Sequence, residues 1–159
     1  MSSIRITTLG HACFKLEYGG YSLVLDPYSD NPPLPPLKSH ANAVYKSHEH
    51  NDHSNLEAIE IIPFDGEIPF KMTEIQTFHD DAGGTKRGPN IIRVFEAGGL
   101  RVAHFGDLGH KLDAEQKDAV GKCDAIMIPV GGFFTIEPEI AKEIILELDP
   151  KVTIPMHYR

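Results

Sequence analysis

The sequence has little cysteine. Cys13 and Cys123 are the only two cysteines in 159 residues, and they lie far apart with no C-x-x-C motif. Disulfide scaffolds and cysteine-rich structural zinc sites need several cysteines at short spacings. The sequence therefore argues against both classes of protein.

Basic residues and long apolar runs are also scarce. Fifteen Lys and Arg against 23 Asp and Glu give a formal net charge of −8, whereas nucleic-acid-binding proteins cluster positive charge against the phosphate backbone. No apolar stretch approaches the length of a membrane span, and residues 1–10 lack the apolar region of a secretory signal. We therefore expect a cytoplasmic protein whose partner is a small-molecule substrate, not a membrane or a nucleic acid.

The patterning predicts one layered domain over residues 1–159. Alternating residues around Gly19-Gly20 predict a hairpin, and Ser54 with Glu57 matches a capping box, which predicts a helix that starts near Ser54. Four prolines in the segment 31–37 predict an irregular loop. Further strands are expected at 43–46, 73–78, 91–96, 100–105, 125–130 and 152–155, and helices at 114–120 and 137–148. This order predicts an α/β (α+β) fold in which helices cover sheets.

Histidine is abundant, with nine residues, and three of them lie in one short run. The run is Ser47-His48-Glu49-His50-Asn51-Asp52-His53. His48 and His50 are two positions apart, so both project to the same side of an extended segment. Clustered imidazole and carboxylate groups suit one or two divalent metal ions. The alternative is a solvated polar loop with incidental histidines, which the residues further along the chain disfavour.

Three more candidate ligands follow predicted strands. They are His79, Asp107 and His157. The carboxyl ends of strands are where layered α/β proteins collect their functional groups. The sequence therefore predicts a metal site assembled from several strand ends.

The order of these ligands resembles that of the metallo-β-lactamase superfamily. The segments 9–14, 25–27, 106–110 and 155–158 resemble its branch of small zinc-dependent hydrolases, which contains ascorbate-6-phosphate lactonase. The resemblance implies an αβ/βα four-layer sandwich, here without the last C-terminal elements. It also implies a ligand set in which one metal ion is held by His48, His50 and His79, the other by Asp52, His53 and His157, and Asp107 bridges the two.

The resemblance further implies a lactonase-like metallo-hydrolase with one or two Zn²⁺ per chain, although Mn²⁺ or Fe²⁺ also fits these nitrogen and oxygen ligands. Two cations about 3.5–4 Å apart can share a hydroxide, because bound water has its pKa lowered to about 7. This metal-bound hydroxide would attack a small anionic ester, lactone or phosphodiester. Asp52 is the expected catalytic residue, because it can orient or deprotonate the water. The alternatives are a nucleic-acid-processing metallo-hydrolase and a non-catalytic metal-binding module.

Five residues outside the ligand set are candidates for supporting or substrate-binding roles. Asp26 either braces a ligand histidine or forms a turn. His11 either faces the pocket or is structural, and His110 either contacts substrate, as a proton donor for example, or caps a helix. Lys86 and Arg87, in a glycine-rich loop, either bind a substrate phosphate or carboxylate or form a solvated surface pair.

The chain stops two residues after His157. Three alternatives stay open for the edge of the last sheet. The protein is a compact member of its family, a shortened chain, or a homo-oligomer in which a partner subunit covers the edge.

Overall fold

The computed structural model describes residues 3–29 and 34–158, so part of the predicted proline loop lies outside the described residues. The first half of the chain is built from short strands. These are β1 (Arg5–Gly10), β2 (Cys13–Tyr18), β3 (Tyr21–Leu25), β4 (Ser39–Ala41), β5 (Ala43–Tyr45) and β6 (Ile59–Ile61). The second half mixes strands and helices, in the order β7 (Lys71–Phe78), β8 (Pro89–Ala97), β9 (Leu100–His104), α1 (Ala114–Val120), β10 (Ala125–Pro129), α2 (Pro138–Leu148) and β11 (Val152–Met156).

Two main sheets form the body of the fold. One has the order β1-β2-β3-β5 and the other the order β11-β10-β9-β8-β7, while β4 and β6 form a small parallel pair. β8 runs antiparallel to both β7 and β9, and β10 runs parallel to β9 and β11. It follows that β7, β9, β10 and β11 all run in one direction, so their carboxyl ends meet at one edge of the sheet.

The two sheets share one apolar core. Phe14 and Leu16 of β2 belong to the same buried cluster as Val94 and Phe95 of β8, and the Tyr45 and Phe95 rings lie 6.3 Å apart. The helices add their buried faces to this cluster, with Val120 from α1 and with Ala141, Ile144 and Leu148 from α2. Within the described ranges, no helix is long and apolar enough to cross a membrane.

The prediction of a helix that begins near Ser54 is wrong. The chain makes a single 3-10 turn at Leu56–Ala58 and then enters β6 at once. Ile59 and Ile61 are β-branched and favour extended backbone, and β6 pairs in parallel with β4, which was also missed in the sequence. The strand pairing between β4 and β6 is therefore favoured over the helix that the local capping pattern predicts.

The predicted hairpin at Gly19-Gly20 is confirmed, with β2 and β3 antiparallel, and the helix at 114–120 is confirmed at both ends.

Both cysteine side chains are shielded from solvent. Cys13 and Cys123 are buried and unpaired, and burial raises the pKa of both thiols, that of Cys123 to about 11. At pH 8 the thiols therefore stay protonated as well as inaccessible. We expect a colorimetric disulfide reagent to label neither cysteine in the native protein at pH 8 and both after unfolding in urea. Rapid labelling of the native protein would contradict this packing.

Candidate metal centre

The predicted ligands lie at the ends of strands. The segment from His48 to His53 follows β5, His79 comes directly after β7, and His157 directly after β11. Asp107 lies three residues beyond the end of β9. Because β7, β9 and β11 run in the same direction, all three deliver their side chains to the same edge of the sheet.

Among the described residues there are three groups of candidate ligand atoms, in each of which the atoms lie within 4.8 Å of one another; one is Asp26 with His48 and His53, and the other two contain the predicted ligands apart from Asp107. The first of these two groups is His48, His50 and His79, and the second is His11, Asp52, His53 and His157. Asp107 stands between the groups. Its Oδ2 atom lies 3.7 Å from His48 Nε2, 3.2 Å from His53 Nε2, 3.2 Å from His79 Nε2 and 3.1 Å from His157 Nε2. The fold thus brings together every predicted ligand and adds His11 to them.

The chemistry of these atoms fits divalent cations. In the described part of the chain, four buried atoms at this centre have no hydrogen-bond partner, namely His48 Nε2, His53 Nε2, His79 Nδ1 and Asp107 Oδ1. Buried polar atoms rarely remain unpaired, because each one loses its hydration without compensation. Imidazole nitrogens and carboxylate oxygens that face one another in this way are a ligand set suited to a divalent metal ion.

One carboxylate orients a histidine from each group. The Oδ2 atom of Asp26 accepts hydrogen bonds from His53 Nδ1 at 2.9 Å and from Ser47 Oγ at 2.6 Å. Ser47 Oγ in turn accepts from His48 Nδ1 at 2.9 Å. Each imidazole therefore donates its Nδ1 proton within the protein, and Nε2 is the ring nitrogen left to bind a metal. A turn-forming role alone does not account for these bonds.

The backbone at the centre is strained. His11, Asp26 and His157 have φ values of 54°, 48° and 51°, in the left-handed region that residues other than glycine seldom adopt. Such conformations persist where the surrounding structure enforces them, and they concentrate at functional sites.

The charge states of these groups favour metal binding. Burial raises the pKa of Asp107, but the rings of His157, His53 and His79, whose Nε2 atoms lie 3.1–3.2 Å from Asp107 Oδ2, outweigh it and hold the pKa well below its usual range. Burial likewise raises the pKa of Asp52, but the nearby rings of His11 and His53 outweigh this effect, so the pKa lies well below its usual value. Burial, and then the charge of His53, lowers the pKa of His48 to about 3. At neutral pH the carboxylates are therefore ionised and His48 is neutral, which are the forms that bind metals. Burial lowers the pKa of His53, but Asp107, Asp26 and Asp52 raise it well above its usual value, so a metal ion bound by His53 would displace a proton.

The remaining candidates lie in different surroundings. Both ring nitrogens of His110 are used, since Nε2 accepts from the Phe78 amide at 3.1 Å and Nδ1 donates to the Lys111 carbonyl at 2.7 Å. These bonds favour a structural role for His110 over substrate contact. Lys86 is exposed and forms an ion pair with Asp81 at 2.7 Å.

A cavity of about 240 Å³ opens over the ligands. Its walls are His50, Asp52, His79, Arg87, Asp107, Phe134 and His157. Arg87 therefore lies beside the candidate metal centre, whereas its neighbour Lys86 does not line this cavity. Sequence reasoning missed Ser47 and Phe134 as site residues. The position of Ser47 directly before His48 was a usable signal, but nothing local marked Phe134.

Comparison with known proteins identifies the family. A family model described as the beta-lactamase superfamily domain matches residues 5–157. The chain belongs to the metallo-β-lactamase superfamily. It is 40% identical to a candidate Zn-dependent hydrolase of that superfamily from Thermotoga maritima, with a TM-score of 0.76 over 99% of this chain and 77% of that chain.

Two further proteins are similar to this chain. The chain is 30% identical to a metal-dependent hydrolase from Pelotomaculum thermopropionicum, over 98% of this chain and 84% of the relative. A metallo hydrolase from Ignicoccus hospitalis, at 20% identity and a TM-score of 0.73 over 98% of this chain and 83% of that one, shares the fold. The predicted family, its fold and the metallo-hydrolase class are confirmed.

Proposed function

We propose that this metallo-hydrolase carries up to two Zn²⁺ ions and hydrolyses a small anionic ester, lactone or phosphodiester. The observation that supports it most is the position of Asp107, whose Oδ2 atom lies within 3.7 Å of histidines from both ligand groups. A single buried carboxylate between two imidazole-rich groups is the arrangement needed to bridge two cations. The predominance of imidazole among the ligands favours zinc.

The residues around the cavity have separate tasks in this proposal. Divalent ions held by the two groups would lower the pKa of water and polarise the substrate oxygen that becomes negatively charged. Asp52 lines the cavity, and its Oδ2 atom lies 3.1 Å from His11 Nε2. Because its pKa is depressed, Asp52 stays ionised and orients the attacking water by accepting a hydrogen bond from it. His11 fixes the direction of that carboxylate.

Metal content and the effect of Asp52→Ala test the proposal together. Protein purified without chelator is expected to hold up to two metal ions per chain by elemental analysis and to hydrolyse bis(4-nitrophenyl) phosphate. Asp52→Ala should lower kcat by about 100-fold or more, because it removes the group that orients the water. Asp65→Ala, at an exposed position outside the cavity, is the control and should leave kcat unchanged. Metal-loaded protein that is inert on lactones, thioesters and phosphodiesters alike would reject hydrolysis and favour a metal-binding module.

A further inference from the structure

The loop between β7 and β8 places a positive charge beside the candidate metal centre. Arg87 lines the cavity over the ligands, and its guanidinium carbon lies 3.4 Å from the centroid of the Phe134 ring. In the described chain, no other Lys or Arg lines this cavity. A guanidinium stacked on an aromatic face is held in place by the cation–π attraction while the donors at its edge stay available.

The charge of Arg87 is not neutralised within the protein. The ion pairs formed by arginine involve Arg93 and Arg101, and the neighbouring Lys86 is paired with Asp81, whereas no carboxylate of residues 3–29 or 34–158 forms an ion pair with Arg87. A guanidinium presents a planar fork of donors that matches the oxygens of a carboxylate or a phosphate. Arg87 can therefore bind an anion without giving up an internal ion pair.

The backbone that carries Arg87 is already ordered. The carboxylate of Asp80 accepts four backbone N–H bonds, from Ala82 and Gly84 at 2.8 Å each, from Lys86 at 3.0 Å and from Arg87 at 2.7 Å. A loop fixed in this way loses little conformational entropy when a ligand binds. Asp80 thus acts as a positioning residue for Arg87.

A second cavity of about 330 Å³ adjoins the first and shares His79, Arg87 and Phe134 with it. Its walls include the apolar side chains of Ile136 and Ile140 and also the charged residues Asp80, Asp81, Lys86 and Glu137. Thr135 also lines it, and the buried Thr135 hydroxyl has no hydrogen-bond partner among the described residues. The Arg87–Phe134 pair therefore stands between the metal ligands and a partly apolar space large enough for the body of a small substrate.

We propose that Arg87 determines the substrate class by binding a carboxylate or phosphate group of a substrate whose apolar part lies in the second cavity. The scissile bond of that substrate then faces Asp52 and Asp107. The proposal rests on the proposed hydrolytic function, and it specifies which end of the substrate carries the charge. Phosphate and carboxylate share the oxyanion chemistry that the guanidinium fork recognises.

A pair of matched esters tests the role of Arg87 by kinetics. Mono-4-nitrophenyl glutarate carries a carboxylate, and 4-nitrophenyl butyrate has a similar chain without one. Arg87→Gln should lower the ratio of kcat/KM for the anionic ester over the neutral ester by about 10- to 100-fold, the range expected for a charge-assisted hydrogen bond. Arg87→Lys, which keeps the charge but loses the fork, should fall in between. Arg5→Gln, on the exposed part of β1, should leave the ratio unchanged, and an unchanged ratio in Arg87→Gln would overturn the proposal.

Calorimetric binding of phenylphosphonate and benzoate to the metal-loaded protein provides a readout without turnover. Arg87→Gln, with its metal content verified, should bind the preferred anion about tenfold more weakly than the wild type, and the anion with the larger loss identifies phosphate or carboxylate. Arg87-dependent binding without hydrolysis of either ester would reject the proposed function and keep the anion site. Hydrolysis whose ester ratio and anion affinity do not depend on Arg87 would reject the anion site and keep the function.

Discussion

Replacing Asp107 by asparagine is expected to lower kcat by about 1,000-fold and to reduce the metal content below that of the wild type. The amide keeps the size of the side chain but replaces one acceptor oxygen by a donor. Asp107 Oδ2 lies 3.1–3.7 Å from four histidine Nε2 atoms, so an NH₂ group there would donate to a lone pair that a metal needs. The negative charge shared by the two ligand groups would be lost as well.

Elemental analysis and kcat on bis(4-nitrophenyl) phosphate measure the effect of Asp107→Asn. Asp65→Asn makes the same chemical change in an exposed carboxylate outside both cavities, and it should keep both metal content and kcat. If Asp107→Asn retained full metal content and a kcat within tenfold of the wild type, Asp107 would not be the bridge between the two groups. A loss of metal in both variants would indicate a general effect of charge.

Adding a methyl group at Gly106 is expected to destabilise the protein by about 3 kcal/mol, from backbone strain and overpacking combined, and to impair metal binding. Gly106 has φ +54°, and a Cβ atom there would overlap with Asn90 Oδ1 and lie 2.5 Å from Ser47 Cβ. Asn90 Oδ1 accepts the backbone N–H of Asp107 at 2.9 Å, and Ser47 orients His48. The methyl group would therefore displace the supports of two predicted ligands.

Gly99→Ala is the matched control for Gly106→Ala. Gly99 has φ +78°, and a Cβ atom there would meet nothing within 4 Å. Gly99→Ala should therefore lower the free energy of unfolding only by the backbone strain of about 1–2 kcal/mol, and it should leave the metal content intact. Urea unfolding and elemental analysis of both variants separate the two contributions. Equal destabilisation and equal metal content in the two variants would show that the contact of Gly106 with Ser47 and Asn90 has no energetic weight.

The ligands could be predicted from sequence because their signals are local. His48 and His50 stand two positions apart and do belong to one ligand group, although residues 47–50 bend and are not extended. His79 and His157 each follow a recognisable strand. The helix predicted at Ser54 failed because its alternative, the pairing of β6 with β4, joins segments that are distant in sequence. No local sequence pattern shows whether the segment will form a helix or pair with a distant strand.

Lys86 and Arg87 show the same limit of sequence-based prediction at the candidate metal centre. They are adjacent and similar in charge, so the sequence could not say which of them would face the ligands. The choice depends on the four N–H bonds to Asp80 and on the ring of Phe134, which lies 47 positions further along the chain. Contacts of this kind exist only in the folded chain.

Asp26 accepts hydrogen bonds from His53 and from Ser47, and Ser47 accepts one from His48. Because of these bonds, the two ligand groups cannot be engineered independently. A designer who wanted a one-metal enzyme could not simply delete His53, because Asp26 would then be a buried carboxylate short of one donor. The altered carboxylate would also shift Ser47, and with it the ring of His48 on the other side of the centre. Redesign of either half therefore has to begin with Asp26 and Ser47 and only then proceed to the ligands.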